Sequence, residues 1–198
     1  MIKRYLTVSL LVFFTTVINL NASAGGIKPM SELLKEMPDE IVPILTKVNV
    51  LDFIDFMDSG SPAEVTNRMK GTSEMLELSE SYASIQLTVE SRVDLKVLPF
   101  GADECLIYVV SSCTVDSLTD SSVKVYDSHW HLASPDFQFT SPNSSSYNKI
   151  VLSADSNTLS LYEIYRPLLF EGETRDDRPD SVVEYKYDWD KQKGKFVP

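Results

Sequence analysis

Hydrophobic residues recur along the chain with two different spacings, and the change falls near Ser84. Between residues 30 and 71, apolar positions lie three or four residues apart, which is the spacing of one face of a helix. After Ser84, apolar and polar residues alternate over short stretches, as they do in strands that bury one side. The pattern predicts a helical segment over 30–71 and a β-rich segment over 84–198.

Four short helices are predicted in the first segment, over residues 32–37, 40–47, 50–57 and 63–70. The candidate N-caps of the first three are Ser31, Asp39 and Asn49, because such side chains accept a hydrogen bond from a backbone N–H of the first turn. Pro43 lies early enough in the second helix to be tolerated. Gly71 follows the fourth, in the position where glycine commonly ends a helix.

Six or so strands are predicted in the second segment, over residues 85–89, 93–97, 106–110, 123–127, 158–165 and 182–189, with a closing return over 195–197. Residues 90–92 and 191–194 are the predicted hairpin connections. Residues 106–110 are apolar on both faces, which predicts a central strand covered on each side. Residues 134–148 are rich in Ser, Pro and Asn and are predicted to form a long surface loop.

The order of these elements predicts the fold class. The predicted strands follow one another without intervening helices, whereas a parallel sheet needs a crossover connection between its strands. We therefore expect an α+β fold, in which short N-terminal helices pack on a mainly antiparallel β-sheet of about six strands.

The first 24 residues have the pattern of a cleavable secretory signal peptide. Lys3 and Arg4 precede a mainly apolar stretch over residues 6–20, and Ala22-Ser23-Ala24 supplies the small residues of a cleavage site. The alternative is a membrane anchor, but the apolar stretch is shorter than the ~20 residues that span a bilayer. We expect an exported protein, periplasmic or secreted, with a single domain over residues 25–198 and no membrane span after cleavage.

The net charge limits the classes of partner. The chain has a formal net charge of −11, and removal of Lys3 and Arg4 with the signal peptide makes the mature protein more negative still. Nucleic acids and anionic lipids are themselves negatively charged, so they are unfavourable partners for this surface. A protein or peptide of the cell envelope is the expected kind of partner.

The chain contains two cysteines, Cys105 and Cys113, and export would place them in an oxidising compartment. If residues 104–115 form one continuous strand, about eight residue steps at ~3.3 Å separate the two cysteines by roughly 26 Å. A disulfide requires Cα atoms within about 7 Å. Either the cysteines are unpaired or the chain turns back near residues 111–112, and we favour two unpaired, buried thiols.

Four segments resemble a family of exported proteins. They are residues 36–39 (EMPD), 51–58 (LDFIDFMD), 63–67 (AEVTN) and the closing 193–197 (KGKFV). Together they are similar to a small exported family of unknown function, a domain-of-unknown-function class, from anaerobic Gram-negative gut bacteria. The resemblance spans nearly the whole mature chain. It implies export and a single domain, and it implies no activity.

A candidate metal site lies at Asp127, His129 and His131. In an extended strand these side chains would point to one face with neighbours ~7 Å apart, and imidazole and carboxylate are suitable ligands for zinc. The alternative is the end of a strand, with solvated histidines and Trp130 packed inward. Two acidic stretches, Asp52/Asp55/Asp58 and residues 171–180, are expected to be solvated. Calcium binding is the alternative for both, and an interdomain contact is a further alternative for residues 171–180.

No catalytic or cofactor motif is present in the sequence. The G-x-S-x-G, P-loop and dinucleotide-binding glycine patterns are absent, and only seven glycines occur. A cysteine paired with a histidine would be the one route to a thiol nucleophile, but residues 105–110 are expected to be buried, which makes a thiol inert. We therefore expect no cofactor and favour a non-enzymatic protein, with a metal-dependent enzyme at Asp127, His129 and His131 as an alternative.

An alternating aromatic pattern marks the strand predicted over 182–189. Tyr185, Tyr187 and Trp189 share one face, and the other face carries Glu184, Lys186 and Asp188. The charged face must be exposed to solvent, so the aromatic face is expected to pack on the core. If this strand were an open edge, the rings would form a stacking platform for a glycan. The functional hypotheses are thus a protein-binding or peptide-binding envelope protein, a glycan-binding module, and a metal-binding protein or metal-dependent enzyme.

Overall fold

The computed structural model describes residues 26–133 and 146–198. It contains two helices, α1 (Met30–Glu36) and α2 (Lys47–Ser59). Ten strands follow: β1 (Glu64–Thr66), β2 (Thr72–Leu78), β3 (Tyr82–Gln86), β4 (Ser91–Phe100), β5 (Glu104–Val115), β6 (Leu118–Asp127), β7 (Ser146–Leu152), β8 (Thr158–Tyr165), β9 (Ser181–Asp190) and β10 (Lys195–Val197). The predicted signal peptide over residues 1–24 lies outside the described residues.

The strands form two antiparallel sheets. The first sheet has six strands in the order β1-β2-β3-β4-β5-β6, and the second has four in the order β10-β9-β8-β7. Within each sheet, strands that are consecutive in the chain are neighbours, so most connections are hairpins or short turns. The predicted α+β class with its six-stranded antiparallel sheet is confirmed. The strands predicted over 158–165 and 182–189 do not belong to this sheet. They pair with each other and with β7 and β10 in a second sheet, which the sequence pattern does not predict.

The first sheet lies between the two helices and the second sheet. Val93, Leu95 and Val97 of β4 pack in a core cluster with residues of α1 and α2, such as Leu34 and Phe53. Leu98 of β4 and Tyr108 and Val110 of β5 pack in a second cluster with residues of the second sheet. Neighbouring residues of β4 and β5 therefore point into different cores, which confirms the prediction of a central strand over residues 106–110.

The two sheets are joined by side chains where their edges meet. The Asp120 carboxylate of β6 accepts a hydrogen bond from the Asn148 N–H of β7 at 3.0 Å, and the Ser121 hydroxyl accepts one from the Ile150 N–H at 3.1 Å. Farther inside, the Lys96 ammonium donates to the carbonyl of Ala154 at 2.8 Å. The first two bonds satisfy backbone N–H groups of β7 that would otherwise lie unpaired at a sheet edge, and the Lys96 bond satisfies a carbonyl just after that strand.

Both observed helices start at different residues from those predicted. Pro29 precedes α1, so Ser31 lies inside the helix and is not its N-cap. Helix α2 begins at Lys47, and the Thr46 hydroxyl accepts a hydrogen bond from the Asn49 N–H while the Asn49 side chain accepts one from the Thr46 N–H. Asn49 is therefore the reciprocal partner in a capping box and not the N-cap itself.

Two predicted helices, over residues 40–47 and 63–70, are not formed. Residues 39–45 are a series of turns, because Pro43 in the middle of this short segment removes a backbone donor. In the second case, β1 pairs with β2, and Asn67 closes the connection between them. Its side-chain oxygen accepts hydrogen bonds from the N–H groups of Met69 and Gly71, which favours a turn over a helix.

Most of the predicted strands are present. Strand β8 has the predicted bounds, and β9 and β10 match closely. Strands β3 and β4 form the predicted hairpin, but β3 ends at Gln86 and the connection is residues 87–90, so the predicted strand over 85–89 and connection over 90–92 are displaced. The sequence pattern does not predict β1, β2 and β7 as strands. Strand β7 begins at Ser146, so the end of the loop predicted over 134–148 is a strand, and residues 134–145 lie outside the described part of the chain. Neither described helix is long and apolar enough to cross a membrane.

Candidate functional site

Large apolar side chains are exposed near one end of the second sheet, on both of its faces, and on the β8–β9 loop and the neighbouring β5–β6 turn. We call this surface the apolar end. Its members are Val115, Tyr147, Tyr165, Leu168, Leu169, Phe170, Val182, Val183 and Tyr185. Leu168 and Phe170 are the most exposed of them, at 83% and 65%. Exposed apolar side chains gathered at one place commonly mark a surface that contacts another molecule.

Part of the apolar end lies on the loop that connects β8 to β9, and an ion pair closes the base of this loop. Arg166 at one end of the loop forms a fork with Asp180 at the other, with nitrogen–oxygen distances of 2.8 and 3.1 Å. The hydrogen bonds from Arg166 hold the pKa of Asp180 below its ordinary value. Arg166 also donates to the carbonyl of Asp116 at 3.4 Å, which ties the loop to the β5–β6 turn.

Two further arginines bind the backbone of the loop. Arg175 donates to the carbonyl of Pro167 at 2.8 Å, and Arg178 donates to the carbonyl of Leu168 at 2.7 Å. The Arg178 guanidinium also lies 4.5 Å from the centre of the Phe170 ring, a cation–π contact. The arginines thus fix a backbone conformation in which Leu168 and Phe170 point away from the core.

Sequence reasoning treated residues 171–180 as a solvated mixed-charge run and missed the apolar residues before it. In the structure two arginines of that run, Arg175 and Arg178, donate hydrogen bonds to the backbone of the same loop. The available signal was the run Leu168-Leu169-Phe170 between Pro167 and a charged stretch, at the end of a predicted strand. Three consecutive large apolar residues at such a position are unusual unless they are buried or bind something.

The candidate metal residues do not lie on one strand face. Strand β6 ends at Asp127, whose Oδ1 accepts hydrogen bonds from the N–H groups of His129 and His131 at 2.8 and 2.9 Å. Its Oδ2 lies 3.1 Å from the His131 Nδ1. Partial burial would raise the pKa of Asp127, but the two backbone hydrogen bonds outweigh it and hold the pKa below its ordinary value.

The turn that follows Asp127 places Trp130 inward and both histidines at the surface. The Trp130 Nε1 donates to the carbonyl of Leu33 in α1 at 3.0 Å. The rings of His129 and His131 lie 6.2 Å apart. Within residues 26–133 and 146–198, no group of three or more His, Cys, Asp or Glu side chains is arranged to hold a metal ion. Metal binding at Asp127, His129 and His131 stays a prediction, now based on a turn and not on a strand.

The three aromatic residues of β9 have different surroundings. The Trp189 ring lies 5.5 Å from Tyr108 and 5.2 Å from Phe196, and its Nε1 donates to the carbonyl of Pro99 at 2.7 Å. Tyr187 packs against the same cluster, whereas Tyr185 is 41% exposed. The glycan-binding alternative stays a prediction and rests on Tyr185, which is also a member of the apolar end.

Both cysteines are free, as expected, and β5 runs continuously from one to the other. Cys105 is buried, and burial raises the pKa of its thiol. Cys113 is exposed, so the prediction of two buried thiols is wrong for this residue. It lies near the end of β5.

The structure also places the acidic residues of α2. Val50, Phe53 and Ile54 of this helix are buried, and Asp55 and Asp58 are exposed, which is the amphipathic pattern that the sequence predicts. The exposure of Asp55 and Asp58 agrees with the expectation that these carboxylates are solvated. Side chains diverge from a helix axis, so such carboxylates point outward into solvent.

A solved structure supports the fold. A domain of an uncharacterized protein from Porphyromonas gingivalis W83 is similar to 84% of this chain and to 96% of its own length, with 22% sequence identity and a TM-score of 0.66. At this level of identity the similarity shows the fold alone. A comparison with curated proteins gives no match. The family comparison gives a match over residues 24–168, which is most of the chain, and the protein therefore belongs to the DUF3256 family of proteins of unknown function.

Proposed function

We propose that this protein is an exported, non-enzymatic component of the cell envelope that binds a protein or peptide partner through its apolar end. The observation that supports the proposal most directly is the exposure of Leu168 and Phe170 on a loop that three arginines hold in place. A flexible loop would lose entropy on binding, whereas a loop that is already fixed avoids much of that cost.

The size of the apolar side chains agrees with a role in binding. Complete burial of a Leu or Phe side chain is worth about 1.5–3 kcal/mol. Arginines and aromatic rings are common at the centres of protein interfaces, and here Arg178 lies against Phe170. The apolar end therefore combines side chains that contribute strongly to affinity when a partner covers them.

The proposal can be tested by affinity capture from the native envelope, followed by mass spectrometry. The test variant is Leu168→Ser with Phe170→Ser. The matched control is Val48→Ser with Met69→Ser, because Val48 and Met69 are similarly exposed, at 63% and 75%, and lie on other elements. We expect the wild-type protein and the control to recover the same partner and the test variant to lose it, with affinity reduced at least tenfold. Recovery of the same proteins by all three would contradict the proposal.

Export has a separate test. The N-terminal sequence of the protein purified from its own cells is expected to begin at or near Gly25, because cleavage would follow Ala24. A mature protein that still carries Lys3 and Arg4 would contradict the exported part of the proposal and would leave the binding part intact.

A further inference from the structure

A cleft of about 450 Å³ lies between the first sheet and the edge of β7. Its first wall is polar and includes Gln86, Arg92, Asp94, Ser112, Thr114 and Thr119, and its second wall consists of Lys149, Ile150 and Val151. None of these residues belongs to the apolar end. The cleft has the volume of a small-molecule site, in which a few fixed polar groups orient the ligand.

The Arg92 side chain is fixed on this wall by hydrogen bonds. Its Nε donates to Asp94 Oδ1 at 2.9 Å, and its Nη2 donates to the Tyr82 hydroxyl at 3.3 Å. The Tyr82 hydroxyl in turn donates to Asp94 Oδ1 at 2.9 Å. Burial and the neighbouring Asp94 raise the pKa of Tyr82 to about 12, so this hydroxyl keeps its proton at neutral pH.

These bonds leave part of the guanidinium available. A guanidinium has five N–H groups, and within the described part of the chain the Nη1 of Arg92 has no hydrogen-bond acceptor. The side chain is 42% exposed, whereas its partner Asp94 is 11% exposed. Arg92 thus presents free donors to the cleft from a position that its buried partners determine.

Paired hydroxyl groups line the same wall. The Ser112 and Ser121 hydroxyls lie 2.8 Å apart across β5 and β6, and the Thr114 and Thr119 hydroxyls lie 2.9 Å apart. Within each pair, one hydroxyl donates its hydrogen to the oxygen of the other. The second hydroxyl hydrogen and the remaining oxygen lone pairs are then available to a ligand. A surface of this kind is suited to a ligand that has hydroxyl groups of its own.

The charges of the cleft and of the whole chain favour a ligand with a single negative charge. Asp94 and Glu90 offset Arg92 and Lys149, so the cleft has no excess positive charge to attract a dianion such as a phosphate monoester. The net charge of −11 on the chain also opposes a dianion more strongly than a monoanion. A carboxylate is planar and matches the fork of a guanidinium. We propose that the cleft binds a small hydroxylated carboxylate, with its carboxylate on Arg92 and its hydroxyl groups against the Ser112 and Thr114 pairs.

The proposal can be tested by titrating the ¹⁵N-labelled mature protein with D-glucuronate while amide and arginine Nε–H shifts are followed. D-Glucose, which lacks the carboxylate, and glucose 6-phosphate, which carries a phosphate instead, are the comparison probes. The test variant is Arg92→Gln. The matched control is Arg68→Gln, because Arg68 also pairs with an aspartate, Asp39, and is 45% exposed.

We expect saturable shifts with D-glucuronate at residues of the cleft, weakened at least tenfold in Arg92→Gln and unchanged in Arg68→Gln. Arg92→Lys keeps a positive charge beside Asp94, so weaker binding by this variant cannot be attributed to loss of folding through an unpaired Asp94. We expect it to bind D-glucuronate more weakly than the wild-type protein, because lysine lacks the guanidinium fork. Unchanged binding by either Arg92 variant, equal binding of D-glucose or glucose 6-phosphate, or no saturable binding to the wild-type protein would overturn the proposal. Loss of partner capture by the apolar-end variant is a separate result that does not bear on it.

Discussion

Two tyrosines that face the second sheet differ in how their hydroxyl groups are satisfied. The Tyr82 hydroxyl donates to Asp94 and accepts from Arg92. The Tyr108 hydroxyl is buried and has no hydrogen-bond partner in the described part of the chain. Burial raises the pKa of Tyr108 to about 12, so its hydroxyl also stays protonated. A buried hydroxyl without a partner costs free energy, whereas one bonded to a charged group contributes to stability.

We therefore expect Tyr82→Phe and Tyr108→Phe to change the free energy of unfolding in opposite directions. Tyr82→Phe removes a hydrogen bond to a buried carboxylate and should destabilise the protein by about 1.5–3 kcal/mol. Tyr108→Phe removes an unsatisfied hydroxyl and should be neutral or stabilising by up to about 1 kcal/mol. Urea unfolding of both variants measures the difference. Destabilisation by Tyr108→Phe equal to that of Tyr82→Phe would show that the Tyr108 hydroxyl has a partner in solution.

At the scale of elements, the ends of helices and the turns depend on single side chains. Thr46 and Asn49 satisfy two backbone N–H groups at the start of α2, and Gly60 ends this helix with a φ of 67°. The β9–β10 turn also contains a glycine with positive φ, Gly194 at 63°. An added Cβ at Gly194 would lie 2.7 Å from a ring carbon of Phe100, whereas nothing lies within 4 Å at Gly60.

Thr46→Ala should destabilise the protein by about 1 kcal/mol, because it leaves an N–H of the first turn of α2 without its acceptor. Ser31→Ala is the matched control: Ser31 is inside α1 and makes no cap hydrogen bond, so the change should be within about 0.5 kcal/mol. Chemical unfolding measures both. An equal loss in the two variants would contradict the capping box of α2.

Gly194→Ala should destabilise the protein more than Gly60→Ala does. Both positions have a left-handed backbone, which costs an alanine roughly 1–2 kcal/mol. At Gly194 the Phe100 ring must also move, so the loss should exceed that of Gly60→Ala by a further ~1 kcal/mol or more. Thermal unfolding compares the two, and a lower melting temperature for Gly60→Ala would be evidence against the close packing of Phe100 on the turn.

At the scale of the whole molecule, one sheet supplies both cores. Trp130 belongs to the cluster beneath the helices, and Trp189 packs against the cluster beneath the second sheet. Strands β4 and β5 contribute side chains to both clusters, so neither core can lose its packing without loss of support for the other. Small domains with such shared elements commonly unfold in one cooperative step.

The two tryptophans make this prediction measurable. In Trp130→Phe the fluorescence of Trp189 reports the core beneath the second sheet, and in Trp189→Phe the fluorescence of Trp130 reports the core beneath the helices. Within each variant, we expect the fluorescence and the far-ultraviolet circular dichroism to give the same urea midpoint. A difference between the two midpoints in either variant would show that the cores unfold separately.

The order of helices before strands, the antiparallel class and the bounds of β8 follow from the sequence pattern. Alternation of apolar and polar residues is a local property of any strand that has one face exposed to solvent. The sequence also determined that residues 106–110 are covered on both sides. It did not determine the helix starts or β1, because Ser31, Asn49 and Asn67 have side chains that suit caps and turns alike, and distant contacts select between these uses.

The residues of the apolar end and of the cleft are brought together by contacts between distant parts of the chain. Arg92 and Asp94 are close in sequence. The pairing of β3 with β4 brings Tyr82 beside them, and the packing of the second sheet places Lys149, Ile150 and Val151 of β7 across the cleft. The run that contains Leu168 and Phe170 does not show by itself whether these residues are buried or exposed, and their exposure accompanies the arginine bonds to the loop backbone. Burial and proximity arise from contacts between residues far apart in the chain, and the local pattern of hydrophobicity does not contain that information.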